Sequence, residues 1–226
     1  MEYTKNAKSI ADIILMLQSR GLVISDTDKA ADLLKKVSYF RFAAYLRPLE
    51  IDKDAHTYKP GAKFETAASL YHFDASLRML VFSSFQSLEI ASFGILTKFY
   101  FNFADSKAKK VVAREFNLPQ HEILESWLRA INSLRNCCAH HNRIWNRNFA
   151  EMPQLPRKLN GSWLSDFSIP TYRLFAILSC TVYCLNAVSP DNTFVKDFKA
   201  LLAAHPEVDV NAMGFPAAWQ NEPLWK

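Results

Sequence analysis

The chain has 226 residues, half of them hydrophobic and 22% charged, which is ample for a sizeable core and too apolar for a disordered segment. Only five glycines are present, so an all-α architecture is expected in place of a sheet protein with many tight turns. Lysine and arginine number 27 against 22 aspartates and glutamates, an excess that admits an anionic partner such as nucleic acid without requiring one.

No apolar run approaches the roughly 18 residues of a membrane span, and Met1-Glu2-Tyr3-Thr4-Lys5 does not open a signal peptide. The four cysteines fall as Cys137-Cys138 and Cys180/Cys184. Adjacent cysteines on a helix do not form an ordinary disulfide. A cytoplasmic protein with reduced thiols and no membrane partner is the expectation.

Ser9 caps a predicted helix through Ile10, Ile13, Ile14 and Leu17 that stops near Gly21. Ser25 or Asp26 starts a second, carrying Ala30, Leu33, Leu34 and Val37, which leads into the aromatic cluster Tyr39 to Tyr45 and breaks at Pro48. Residues 50–63, with Pro60-Gly61, read as a surface loop. From Phe64 to about Phe101 apolar residues recur at helical spacing (Leu70, Phe73, Leu77, Leu80, Val81, Leu88), a run long enough to need a break, for which Gly94 is the candidate. Asp105 to Arg114 is polar and basic, either a connection or a solvated helix; Lys107, Lys109 and Lys110 suit a phosphate backbone or plain solvent.

Pro119 and Glu122 mark the start of a long helix predicted from Gln120 to about Asn146. Leu124, Trp127, Leu128, Ile131, Leu134, Cys138 and Trp145 form its apolar stripe, and prolines at 153 and 156 follow. Tyr172 to Val188 is a predicted core helix. Asp191 is expected to cap another with Phe194, Phe198, Leu201 and Leu202, before an irregular tail from Pro206.

The chemistry concentrates on the long helix. At about 100° per residue, Asn136, His140, Arg143 and Arg147 share one face, which Arg129 and Asn132 extend upstream. RNA cleavage without a metal needs a base for the 2′-hydroxyl, an acid for the leaving 5′-oxygen and a fixed cation for the phosphate. Histidine suits both proton transfers, and an arginine fork suits the phosphate. Arg135, Asn136 and His140 provide a cation, a neutral donor-acceptor and an acid/base. Arg135 and His140 are five residues apart, so on a regular helix they point about 140° away from each other. Either the helix is distorted here, or two copies each supply part of one site, which implies a symmetric homodimer.

The string Leu134-Arg135-Asn136-Cys137-Cys138-Ala139-His140-His141-Asn142-Arg143-Ile144-Trp145-Asn146-Arg147 resembles the signature of the Abi-like (AbiD/AbiF-type) abortive-infection proteins of the HEPN superfamily. Leu17 to Leu22, Tyr39-Phe40-Arg41 with Tyr45, Leu70 to Asp74, and Leu77-Arg78 fit the same pattern, as do Ser92-Phe93-Gly94, Lys98-Phe99-Tyr100, and Met213 to Pro216 with Trp219. The resemblance implies a single HEPN-like helical domain over residues 1–226: N-terminal helices 7–47, loop 50–63, central and catalytic helices 64–147, and C-terminal helices and tail 153–226. It further implies dimerisation and a metal-independent endoribonuclease, of toxin type, in phage defence, with no cofactor and with an antitoxin protein or RNA as a partner. Carried over by position, Arg135 holds the phosphate, His140 is the acid/base and Asn136 supports them; His141, Arg143, Arg147 and Glu89 are candidates for a supporting role from their own positions in the chain. One departure stands out: between Asp74 and Ser92 the chain lacks a middle segment usual in the family.

The competing readings are structural. His141, nearer the core stripe, suits a hydrogen-bonded structural histidine. Cys137/His141 and Cys180/Cys184 sit at zinc-compatible spacing, yet without a Cys-x2-Cys knuckle they read as small core residues, so no metal is expected. Glu89 can orient a catalytic group or simply face solvent. Tyr39, Phe40, Phe42 and Tyr45 suit either stacked bases or a core. The alternative function is a non-catalytic HEPN module that binds RNA or a partner protein, which would have no need of an acid/base histidine.

Overall fold

The structure, a computed structural model, describes residues 8–87, 102 and 106–226. The expected break at Gly94, the segments around Ser92 and Lys98, and Glu89 lie outside the described residues. By its internal contacts the chain divides into two compact units, residues 1–73 and 74–226.

In the first unit, α1 (Ile10–Ser19) begins at the expected cap: Ser9 Oγ accepts from the Asp12 N–H at 3.1 Å, and Asp12 Oδ2 accepts from the Ser9 N–H at 3.1 Å. This reciprocal pair is a capping box with aspartate in place of the usual glutamate. The helix closes before Gly21, which holds φ +91°. For α2 (Thr27–Lys36) the cap is Asp26, whose carboxylate accepts from the Lys29 N–H at 3.0 Å. Val37 is extended, so the aromatic cluster forms a helix of its own, α3 (Tyr39–Leu46). Phe42 and Tyr45 are buried, while Phe40 is 84% exposed. Most of the cluster's apolar weight is therefore core: Phe42 lies 4.7 Å from Phe64, and Tyr45 meets Tyr71 edge-on at 5.5 Å.

Residues 50–63 are more ordered than the expected loop. They contain a hairpin of β1 (Glu50–Asp52) and β2 (Thr57–Tyr58). Asp52 Oδ1 accepts from the N–H groups of Asp54 and Ala55 at 2.8 and 3.0 Å, and His56 takes φ +54°. An aspartate bonding its own following backbone closes a turn without glycine.

The helix α4 (Phe64–Ser87) opens in the first unit and continues into the second. Phe64, Ala67, Leu70, Phe73, Leu77, Val81 and Phe85 are buried at helical spacing. Within the second unit the basic stretch is helical, α5 (Ser106–Glu115), with Lys109 paired to Glu125 at 2.9 Å. It is followed by α6 (His121–Ala139), α7 (Leu174–Val188) and α8 (Phe194–Ala204). Every residue of α7 from Leu174 to Leu185 is buried. On α6, Trp127 stacks on Trp163 at 5.3 Å and meets Tyr183 edge-on at 5.6 Å.

Asp191 does not cap α8. Asn192 turns back onto the Ser189 carbonyl and its Oδ1 accepts from the Phe194 N–H at 3.2 Å, while Thr193 is the N-cap. The tail is irregular in secondary structure, with three short 3₁₀ turns, but it is core by burial: Met213, Phe215, Trp219, Leu224 and Trp225 are all enclosed. Trp225 stacks on Phe175 at 5.5 Å and donates from Nε1 to Ser179 Oγ at 3.0 Å. Gly214 is required where the tail turns: its φ is +84°, and an added Cβ would meet Arg173 Cβ at 2.4 Å. The described residues thus form an all-α fold with one small hairpin. No described helix is long and apolar enough to cross a membrane.

Candidate active site

The long helix expected to reach Asn146 stops at Ala139, with His140 as its C-cap. The His141 N–H donates to the Cys138 carbonyl at 3.0 Å, and the Asn142 N–H donates to the Cys137 carbonyl at 2.8 Å. His141 itself turns left-handed, at φ +54°. These paired bonds are a Schellman closure, which satisfies carbonyls the helix end would leave open. Glycine usually fills the left-handed position. Histidine is among the side chains that tolerate it better than most, so the sequence carries no obvious stop signal there.

A buried carboxylate then takes hold of the chain. Asp74 Oδ1 accepts from the N–H of Ile144 at 3.0 Å and of Trp145 at 2.6 Å, and Oδ2 pairs with Arg78 Nη1 one turn along α4. Asp74 is fully enclosed and Arg78 is 6% exposed. A charge this deep is tolerated only when paired and hydrogen-bonded, as this one is. The sequence face that held Asp74 and Arg78 was otherwise apolar, and their purpose is visible only in three dimensions: they fix the segment that follows the motif. Arg173 adds a second tie, donating to Asn146 Oδ1 at 2.9 Å and to the Ala212 carbonyl at 3.2 Å.

The outer face of α6 borders a cleft of about 380 Å³. From the helix, Arg129, Asn132, Asn136 and His140 line it, with Ser133 and Cys137 beside them. The loop beyond contributes Asn142 and Glu151. Four of these are the polar stripe expected from helical spacing. Ser133 was available from the same spacing, whereas Glu151 could not be placed from sequence, because it lies on a loop whose path depends on tertiary contacts.

Arg135 does not line this cleft. Its Nη1 donates to Asn136 Oδ1 at 3.0 Å, so it is linked to the cleft through its neighbour. Because the helix ends early, Arg143 and Arg147 leave the stripe. Arg147 turns back, donating to the Arg143 carbonyl at 3.4 Å and lying 5.8 Å from the Phe149 ring. His141 is exposed instead of set against the core. Trp145 is buried as expected, but from the loop and not from the helix.

Burial pushes the Cys138 thiol up to about 12, with Cys137 and Asp74 adding to the shift and Arg78 opposing it. Burial also raises Cys137. Both thiols are therefore neutral near pH 7. Among the described residues, no three histidine, cysteine or acidic side chains are grouped to hold a metal ion.

No curated protein and no solved structure matches the chain. A family model described as Abi-like protein matches residues 32–92 and 84–146, which together make just over half of the sequence. The two stretches overlap at 84–92, within the interval where the middle segment is short, and Met213 to Trp219 lie beyond them. The matched span takes in α3, α4, α5 and α6, the buried Asp74–Arg78 pair and the whole string from Leu134 to Asn146; this chain belongs to the Abi-like protein family.

Proposed function

We propose that this protein is a metal-independent endoribonuclease of an abortive-infection defence system, built on the HEPN pattern and acting as a homodimer. RNA is cut by attack of a 2′-hydroxyl on the adjacent phosphorus, which leaves a 2′,3′-cyclic phosphate and a 5′-hydroxyl. His140 transfers a proton, Arg135 stabilises the charged phosphate, and Asn136 holds the arginine fork while facing the substrate. Arg143 and Arg147 supply positive charge beside the site, and an antitoxin protein or RNA restrains it in the resting cell.

The observation that carries this reading is the meeting of Asn136 and His140, with Arg129, in one cleft whose size suits a small ligand group such as a nucleotide. The test is incubation of purified protein with RNA in EDTA, beside Arg135→Ala and His140→Ala. Cleavage that survives chelation and falls by about 10²-fold or more in both variants is expected. RNA binding without cleavage would instead favour a non-catalytic module.

A further inference from the structure

Cleavage by 2′-hydroxyl attack requires two proton transfers, and the Arg135–His140 string provides one evident acid/base. The cleft narrows the search for the other. Arg129, the asparagines and Ser133 line the cleft with hydrogen-bonding groups that are not general bases. Cys137 is held neutral by burial. His141 is exposed and does not line the cleft. Apart from His140, the side chain of general acid/base type that lines the cleft is the carboxylate of Glu151.

Glu151 is also held in place. Two residues before it, Phe149 is buried and its N–H donates to the Tyr172 carbonyl at 2.8 Å. Three residues after it, the Gln154 N–H donates to Ser126 Oγ at 3.0 Å, and the Gln154 carbonyl accepts from Trp127 Nε1 at 2.7 Å. The loop is thus pinned at both ends, on one side directly to α6, the helix that carries His140. Among the described residues the Glu151 carboxylate has no ion pair or hydrogen bond, so nothing occupies it before substrate arrives.

Resting on the ribonuclease reading above, we infer that Glu151 is the general base of the reaction and His140 the general acid. The Glu151 carboxylate takes the proton from O2′ as the O2′–P bond forms. The protonated His140 gives its proton to O5′ as the P–O5′ bond breaks. One proton is taken up and one released, so the cyclic phosphate and the 5′-hydroxyl leave with the site's net protonation unchanged. Neutral asparagines on the same wall donate to phosphate oxygens without competing for either proton.

The assignment is tested with Glu151→Gln and His140→Ala on two RNA substrates, one ordinary and one whose scissile 5′-oxygen is replaced by sulfur. A thiolate leaves without help from an acid. The expected result is that both variants lose about 10²-fold or more on ordinary RNA. The sulfur substrate restores the rate of His140→Ala but not of Glu151→Gln. The pH–rate profile of Glu151→Gln loses its acidic limb, and its melting curve matches that of the unaltered protein, since the residue is exposed. If Glu151→Gln cleaves at a near-normal rate with both limbs intact, the inference is overturned and the ribonuclease reading stands. If sulfur restores Glu151→Gln, the roles as assigned are overturned. If the unaltered protein cleaves neither substrate, the ribonuclease reading itself fails.

Discussion

At the scale of single residues, the pair that matters most outside the cleft is Asp74 and Arg78. One carboxylate serves two backbone N–H groups and one guanidinium, with no water-facing surface of its own. Asp74→Ala removes the carboxylate facing the buried Arg78 and orphans two amides, a combination expected to cost about 3–5 kcal/mol. Asp74→Asn keeps an acceptor for the amides but removes the charge, so it is expected to fall between the two. Urea unfolding of all three proteins checks the order, and equal midpoints for Asp74→Ala and the unaltered chain would refute it. The stripe of Arg129, Asn132, Asn136 and His140 was legible in the sequence because helical spacing within one element decides which residues share a face. The Asp74 contact joins residues about seventy positions apart, so spacing gives no hint of it. A charge within an apolar stripe was the one available signal.

At the scale of elements, the instructive case is the end of α6. Apolar spacing through Trp145 suggested a continuing helix, and Trp145 is indeed buried. Burial was therefore read correctly while the path was not, because periodicity reports which residues face inward and not how the backbone takes them there. The stop depends on His141 holding φ +54°, a conformation that costs an ordinary side chain roughly 1–2 kcal/mol. His141→Gly removes that cost and is expected to raise stability by up to about 1 kcal/mol, seen as a higher melting temperature. It also separates backbone from chemistry, since RNA cleavage is expected to persist; a loss comparable to that of His140→Ala would assign the His141 side chain a part in the reaction. The tail is irregular, as expected, but irregular spacing says nothing of burial, and Trp225 is fully buried among Phe175, Phe198, Phe215 and Trp219. Trp225→Ala is expected to cost about 3–5 kcal/mol in urea unfolding.

At the scale of the whole molecule, stability and activity are both expected to depend on groups that no single element explains. The buried thiols of Cys138 and Cys184 are each pushed up to about 12, and Cys180 is raised as well. An unfolded chain ionises its thiols nearer their ordinary value of 9.0, so it sheds protons first as the pH rises. Stability is full below that value and falls between about 9 and 12, by up to about 1.4 kcal/mol per pH unit for each thiol. Unfolding midpoints measured from pH 7 to 11 are expected to drop above pH 9, with a shallower fall in Cys138→Ala. For activity, the decisive fact is that Arg135 turns to Asn136 and stays off the cleft that His140 lines. Helical spacing already set these two side chains apart, and the early end of α6 does not bring Arg135 onto the cleft. On the homodimer proposed above, each dimer would hold two sites, each made of one protomer's His140 and its partner's Arg135. Mixing Arg135→Ala with His140→Ala tests this directly. Each variant alone is inactive, but a random mixture forms half of its dimers from one of each, and in those one of the two sites has both groups intact. About a quarter of the normal activity is therefore expected to return on mixing, and an inactive mixture whose subunits demonstrably exchange would show that each chain completes its own site.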